Sequence, residues 1–313
     1  MNSTFKKYLE ERDLSKKTIT HYNSYILDFL AFLDQDTTEA ENATAKEVTA
    51  YLNYLKKKGQ NNATRTIRLN VIKQFFDYQI GQGIRENNPV THLKIRGSRR
   101  KILYPVLTIQ ELEHIYHAYA IPEADDPRNT RNWFTSYRLS RQRNKVILGL
   151  MIWQGLTTAE VNHLKPEDLK LREGTIYIAG GRKSNERTLE LKPQQIIELM
   201  EYLQSTRKEL LSYCRENSEY LFTGTPATGK KEATGQESIN IWKRFSQELA
   251  EQHPRFIKFK QIRASVITHW LKKYNLREVQ YMAGHRYVSS TESYQLNDME
   301  DLSEQIDRYH PIG

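Results

Sequence analysis

The 313-residue chain has a single cysteine, Cys214, so no intrachain disulfide can form and a reducing compartment fits the composition. Long apolar runs are also missing. No stretch approaches the roughly 18 residues of a membrane span, and the opening MNSTFKKYLEERDLSKK lacks the apolar core of a signal peptide. The expectation is therefore a soluble cytoplasmic protein with no membrane partner. Acidic side chains are in deficit, 38 against 47 lysines and arginines, which leaves a formal charge of +9 and a pI of about 9.3. That balance favours a polyanion, nucleic acid before a membrane surface. Cofactor fingerprints are missing as well. GTPATGKK at 224–231 falls one residue short of a P-loop, because Lys231 stands where Ser or Thr must hold Mg²⁺ and no apolar helix follows. His114 and His117 share an i,i+3 spacing but have no evident third ligand. No metal and no cofactor are expected.

What is present divides by periodicity. Residues 1–95 read as a helical bundle. Ser15 is a good N-cap for a helix to Asp34 with Tyr22, Ile26, Phe29, Leu30 and Leu33 on one face. Thr44 and Glu47 form a capping box for a second helix burying Val48, Leu52 and Leu55, which stops at Gly59. A third runs from Ala63 to Ile80 on a stripe of Ile67, Val71, Phe75 and Tyr78, with Arg65, Arg68 and Lys73 interspersed. Asn87-Asn88-Pro89 ends the unit.

A linker at 96–106 follows. KIRGSRRK at 94–101 holds five basic side chains and a glycine, a composition suited to lying along a phosphate backbone. Lys94, Arg96, Arg99, Arg100 and Lys101, with Arg65 and Arg68, are the candidate DNA-binding residues. From 107 to 313 a second domain is expected. It begins with a helix at TIQELEHIYHAY and a loop at 120–133, followed by an apolar helix at NKVILGLMIW. GTIYIAG and RTLELK flank GGRKSNE as a short hairpin, and the rest is mainly helical with a loop at 223–236. The fold class is mainly α with a small β-sheet, and there is no internal repeat.

Chemistry concentrates near the C-terminus. His285 and Tyr294 lie nine residues apart in AGHRYVSSTESYQ, and Arg263 precedes His285 by twenty-two in KFKQIRASVITHWL. Phosphodiester exchange through a tyrosine needs a nucleophile, cationic donors for the nonbridging oxygens, a group to take the phenol proton and an acid for the leaving hydroxyl. Lys260 lies at i−3 from Arg263 on one helical face, so both cations can converge on one phosphate.

Arg263, then Ala283-Gly284-His285, then Thr291-x-x-Tyr294 together resemble the C-terminal motifs of the tyrosine recombinase (phage-integrase) family. QGLTTAEVNHLKPEDL resembles its first arginine block, T-G-L-R-x-x-E-L, and GGRKSNERTLEL resembles its G-K-G-x-K-x-R hairpin. With a helical core-binding domain in front, the resemblance covers nearly the whole chain. It implies a site-specific recombinase or integrase of a mobile element that cuts and rejoins double-stranded DNA, without metal or ATP, through a 3′-phosphotyrosine. Tyr294 would be the nucleophile, Arg263 would clamp the phosphate and His285 would bond it or assist proton transfer. Lys183 or Arg182 would protonate the leaving oxygen. The resemblance further implies a homo-oligomer, dimer to tetramer on DNA, in which a C-terminal helix bearing Met299, Leu302 and Ile306 docks on a neighbour. Action would be at the bacterial nucleoid.

This chain departs from the pattern at two positions. Thr157 stands where the family has its first arginine, and Lys260 where it has a histidine. A threonine hydroxyl cannot replace a bidentate guanidinium, and one lost donor to a developing anion typically costs roughly 3 kcal/mol. Thr157 with Glu160 also reads as a capping box. Arg182 is the expected replacement cation, Arg187 a weaker one. The alternatives are a DNA-binding relative impaired in cleavage and a type IB topoisomerase-like nickase.

Overall fold

Ser15 caps the helix that organises the N-terminal unit. In the computed structural model, which describes residues 2–35, 37–97, 104–123, 125–182, 184–214, 218–224 and 238–295, the chain forms two units, 1–102 and 103–313. The first contains α1 (Asn2–Glu11), α2 (Lys16–Asp34), α3 (Ala45–Lys57) and α4 (Asn62–Gly81). The Ser15 side chain accepts from the Thr18 amide, and the Thr44–Glu47 capping box opens α3. The core joins Phe5 and Leu9 of α1 to Ile26, Phe29 and Leu33 of α2, Val48, Leu52 and Leu55 of α3, and Phe75 and Phe76 of α4. The sequence reading omits α1, because ten residues carrying two inward anchors at i and i+4 give a weak periodic signal. It also misplaces Ile67, which is exposed. The buried face of α4 keeps Val71, Phe75 and Tyr78 and adds Leu69, Ile72 and Phe76.

The second unit is built around α6 (Phe134–Trp153). Its last two turns are buried nearly all round, from Val146 to Ile152, as befits a central helix. α6 begins ten residues before the apolar run because its first turns bury polar groups that are paired. Arg143 donates to the Thr223 carbonyl at 2.8 Å and to Asn144 Oδ1, and Arg141 donates to the Ala120 carbonyl at 2.7 Å. Buried polar groups with partners cost little, but they erase the periodicity on which a sequence reading depends.

Around α6 pack α5 (Ile109–Ala118), α8 (Pro193–Glu201), which continues through a π turn at Tyr202–Thr206 into α9 (Arg207–Ser212), and α11 (Phe259–Leu271). α10 (Ser238–Gln252) adds Phe245 and Leu249 to the same core. The short α7 (Thr158–His163) leads to an antiparallel sheet ordered β1 (Leu169–Lys170), β2 (Thr175–Ile178), β3 (Arg187–Glu190). β2 and β3 form the expected hairpin, with Ile178 opposite Arg187 and Thr175 opposite Glu190. β1 is an unanticipated third strand. The chain then passes through α12 (Leu276–Ala283) and α13 (Val288–Glu292) to Tyr294. No helix among the described residues is long and apolar enough to cross a membrane. The expected C-terminal helix and most of the 223–236 loop lie outside the described residues.

Candidate active site

α11 buries Ile262, Val266 and Ile267 and turns Arg263 to its half-buried edge. Three loops converge there. The guanidinium donates to the carbonyl of Gly155, just before α7, and to that of Ala283 at 2.6 Å. Its Nη2 also lies 3.4 Å from His285 Nε2. A guanidinium only donates, so Nε2 accepts and the ring proton resides on Nδ1, which donates to Thr291 Oγ1 at 2.9 Å. Thr291 is fully buried, so the imidazole is aimed by a fixed partner.

Gly284 makes this geometry possible. It ends α12 in the left-handed region, φ 66°, and the reversed chain brings His285 back over α11. The hairpin tip locks the turn from the other side. Asn185 N–H donates to the Gly284 carbonyl at 2.9 Å, and Ser184 bridges to His285. One turn later Tyr294 lies parallel to the His285 ring, with centroids 5.7 Å apart and an interplanar angle of 10°. Its hydroxyl faces the Arg263 guanidinium closely enough to act on its charge. Tyr294, His285 and Arg263, singled out from spacing, are brought together at one place.

Behind them is a charged layer in which Glu160 and Arg187, read separately in the sequence, are paired. Glu160, in α7, accepts from Arg187 Nη1 at 2.7 Å, and its other oxygen lies 3.7 Å from Arg263 Nη1. That second oxygen also takes the Thr157 amide at 2.8 Å and the Thr157 hydroxyl at 2.9 Å, completing the capping box. Burial opposes ionisation of Glu160, but the Arg187 bond and charge, the Arg263 charge and the Thr157 amide more than offset it. The carboxyl is held below its ordinary range. Burial likewise pulls Arg263 down from the usual guanidinium range, with Glu160 and Tyr294 partly opposing. Two guanidiniums around one carboxylate leave a net positive site, a donor set for an anion rather than a metal. Sequence held one signal for Arg187: in the alternating strand Arg-Thr-Leu-Glu it shares the inward face with Leu189.

The other predicted residues are placed as follows. Lys260 is exposed in the first turn of α11. Arg182 is exposed on the hairpin, and its carbonyl accepts from Arg286 at 3.1 Å. Lys183 lies outside the described residues, as do Arg99, Arg100 and Lys101. Lys94 and Arg96 are exposed, with the Arg96 carbonyl held by the Asn62 side chain at 3.0 Å. Arg65 and Arg68 turn inward. Arg65 is buried and donates to Asn62. Arg68 ties Asp28 and Tyr51 at 2.8 and 2.7 Å and stacks over Tyr25.

Comparison with known proteins agrees with this arrangement. Residues 107–301 match the phage integrase family, and residues 3–83 match the N-terminal SAM-like domain of phage integrases. The chain belongs to the phage integrase family. It is thus a tyrosine recombinase, an enzyme class that breaks and rejoins DNA at specific sites without metal or ATP. Among similar recombinases, tyrosine recombinase XerC of Bacillus licheniformis is 27% identical over 98% of this chain and 95% of its own length. XerC of Oceanobacillus iheyensis is 24% identical over 98% and 95%. Among solved structures, the Tn1549 transposon integrase in complex with circular intermediate DNA superposes with a TM-score of 0.65 at 14% identity, covering 94% of each chain. A lambda integrase tetramer bound to a Holliday junction gives 0.64 at 18%, over 93% of this chain and 75% of that one. The recombinase fold is thus shared at sequence identities too low to carry residue roles across.

Proposed function

We propose that Tyr294 is the nucleophile of this recombinase. Its oxygen attacks the scissile phosphorus, forming a 3′-phosphotyrosine and breaking the bond to the 5′ oxygen. The reading is carried by one observation: the Tyr294 ring lies on His285 while a single guanidinium, Arg263, reaches both. Arg263 donates to the nonbridging oxygens as negative charge grows on them. His285 holds an acceptor Nε2 beside the phenol, fit to take its proton, and once protonated the same nitrogen donates to the phosphate. Lys260, exposed on the same helix edge, adds a point charge. The leaving 5′ oxygen takes its proton from the hairpin, from Lys183 or Arg182.

Duplex DNA is bound mainly through phosphates. Lys94 and Arg96, both exposed, form part of that contact together with Arg99, Arg100 and Lys101, while Arg65 and Arg68 serve it by fixing α4. The substrate is a pair of sites on a mobile element, and the working form is a homo-oligomer, dimer to tetramer, on DNA at the bacterial nucleoid. The resemblance to a transposon integrase and to a junction-bound lambda integrase tetramer supports both points. The segment bearing Met299, Leu302 and Ile306 docks on a neighbouring protomer. A shallow surface pocket lined by Tyr274, Arg277, Glu278, Tyr281 and Met282 is the candidate receiving surface.

A nicked suicide duplex from the flanks of the encoding element tests the chemistry. Wild type traps an SDS-resistant adduct through a 3′ phosphate, and Tyr294→Phe traps none. An adduct that survives Tyr294→Phe would sink the assignment.

A further inference from the structure

Arg187 is the side chain hardest to explain by stability. It sits on the inward face of β3 with only 2% of its surface exposed, where an alternating strand ordinarily places an apolar residue. Only Nη1 finds a partner among the described residues, Glu160. Nε and Nη2 are buried without one. A buried guanidinium satisfied at one nitrogen is a poor contribution to a core. The position also constrains the chain at 284, since a Cβ there would overlap Arg187 Nη1.

What the arrangement provides is charge. Glu160 has two cationic neighbours, Arg187 at 2.7 Å and Arg263 at 3.7 Å. The nearer takes the hydrogen bond, and the farther is left to face Tyr294 and His285. Without Arg187, a buried carboxylate facing Arg263 would draw that guanidinium to itself. The phosphate would then lose its one guanidinium clamp. Thr157 contributes neutral donors to Glu160 and cannot balance it.

We infer that Arg187 is a positioning residue for strand cleavage: by occupying Glu160 it keeps the Arg263 guanidinium free for the scissile phosphate in a site whose position 157 carries no cation. The role is indirect, because Arg187 is buried beneath the Gly284 turn and does not touch DNA. This inference rests on the assignment of Tyr294 and Arg263 above.

The test compares adduct formation on two suicide duplexes, one normal and one with a neutral methylphosphonate at the scissile position. On the normal duplex Arg187→Gln lowers the rate of adduct formation about 10²-fold, the scale for losing one preorganised cationic donor. On the methylphosphonate, which carries no charge for Arg263 to meet, the same substitution lowers it by less than about tenfold. A packing role slows both substrates equally, so equal losses, or none, overturn the inference. Should R187Q fail to fold, R187Q combined with E160Q carries the test. Removing both charges leaves Arg263 uncaptured, and cleavage of the normal duplex stays within about tenfold of wild type. A loss of about 10²-fold or more in that folded double variant also overturns it. Tyr294→Phe is run alongside. An adduct that persists there refutes the nucleophile assignment, whereas an adduct abolished there but indifferent to R187Q refutes only the role of Arg187.

Discussion

Gly284 meets two demands that no other residue meets together. Its φ of 66° lies in the left-handed region, and Arg187 Cζ would sit 2.9 Å from any added Cβ. Gly284→Ala is expected to destabilise the second unit by at least about 1–2 kcal/mol from the backbone conformation alone. It should also slow adduct formation, because the turn that aims His285 shifts. Thermal melting read beside the suicide-duplex rate checks both, and an unchanged rate would separate the turn from the chemistry. At this scale the sequence spoke clearly only where spacing and chemistry coincide. Tyr294, His285 and Arg263 could be picked out because few reactions need a phenol, an imidazole and a guanidinium in that order. Glu160 and Arg187 could not, since one resembles a helix cap and the other a hairpin arginine, and their pairing spans twenty-seven residues.

Among the elements, α7 shows how local and tertiary signals overlap. Thr157 opens it with a capping box that the sequence predicted and the structure contains. Thr157→Ala is expected to cost about 1 kcal/mol of stability, the usual loss for an N-cap hydroxyl, and Thr157→Ser almost nothing. Paired melting curves distinguish the two, and equal losses would mean the hydroxyl is not the stabilising group. In the N-terminal unit α2, α3 and α4 were legible because their apolar stripes face one core and their caps are strong. α6 was legible only in its second half, since Arg141, Arg143 and Asn144 are buried with partners that lie far along the chain. β1 was not legible at all, because two residues carry no period.

For the molecule as a whole, the excess of lysine and arginine translates into a dependence on salt. If Lys94 and Arg96 touch phosphates, replacing either with alanine should weaken DNA binding alike for all sequences. Each should also reduce the slope of log K against log salt by about 1. Titrations at several ionic strengths measure this, and an unchanged slope would remove that residue from the contact. The composition announced a polyanionic partner, but which cations face outward required the fold, as Arg65 and Arg68 show by turning inward. The bonds that assemble the site also bear on how it comes apart. Arg263 reaches back 108 residues to Gly155, and the hairpin tip reaches forward to the Gly284 turn. These ties are few, and segments held by sparse long-range contacts open before the body of a domain does. Rising denaturant should therefore silence this enzyme while its helices are still intact, and on refolding the ability to cut DNA should be the last property to return.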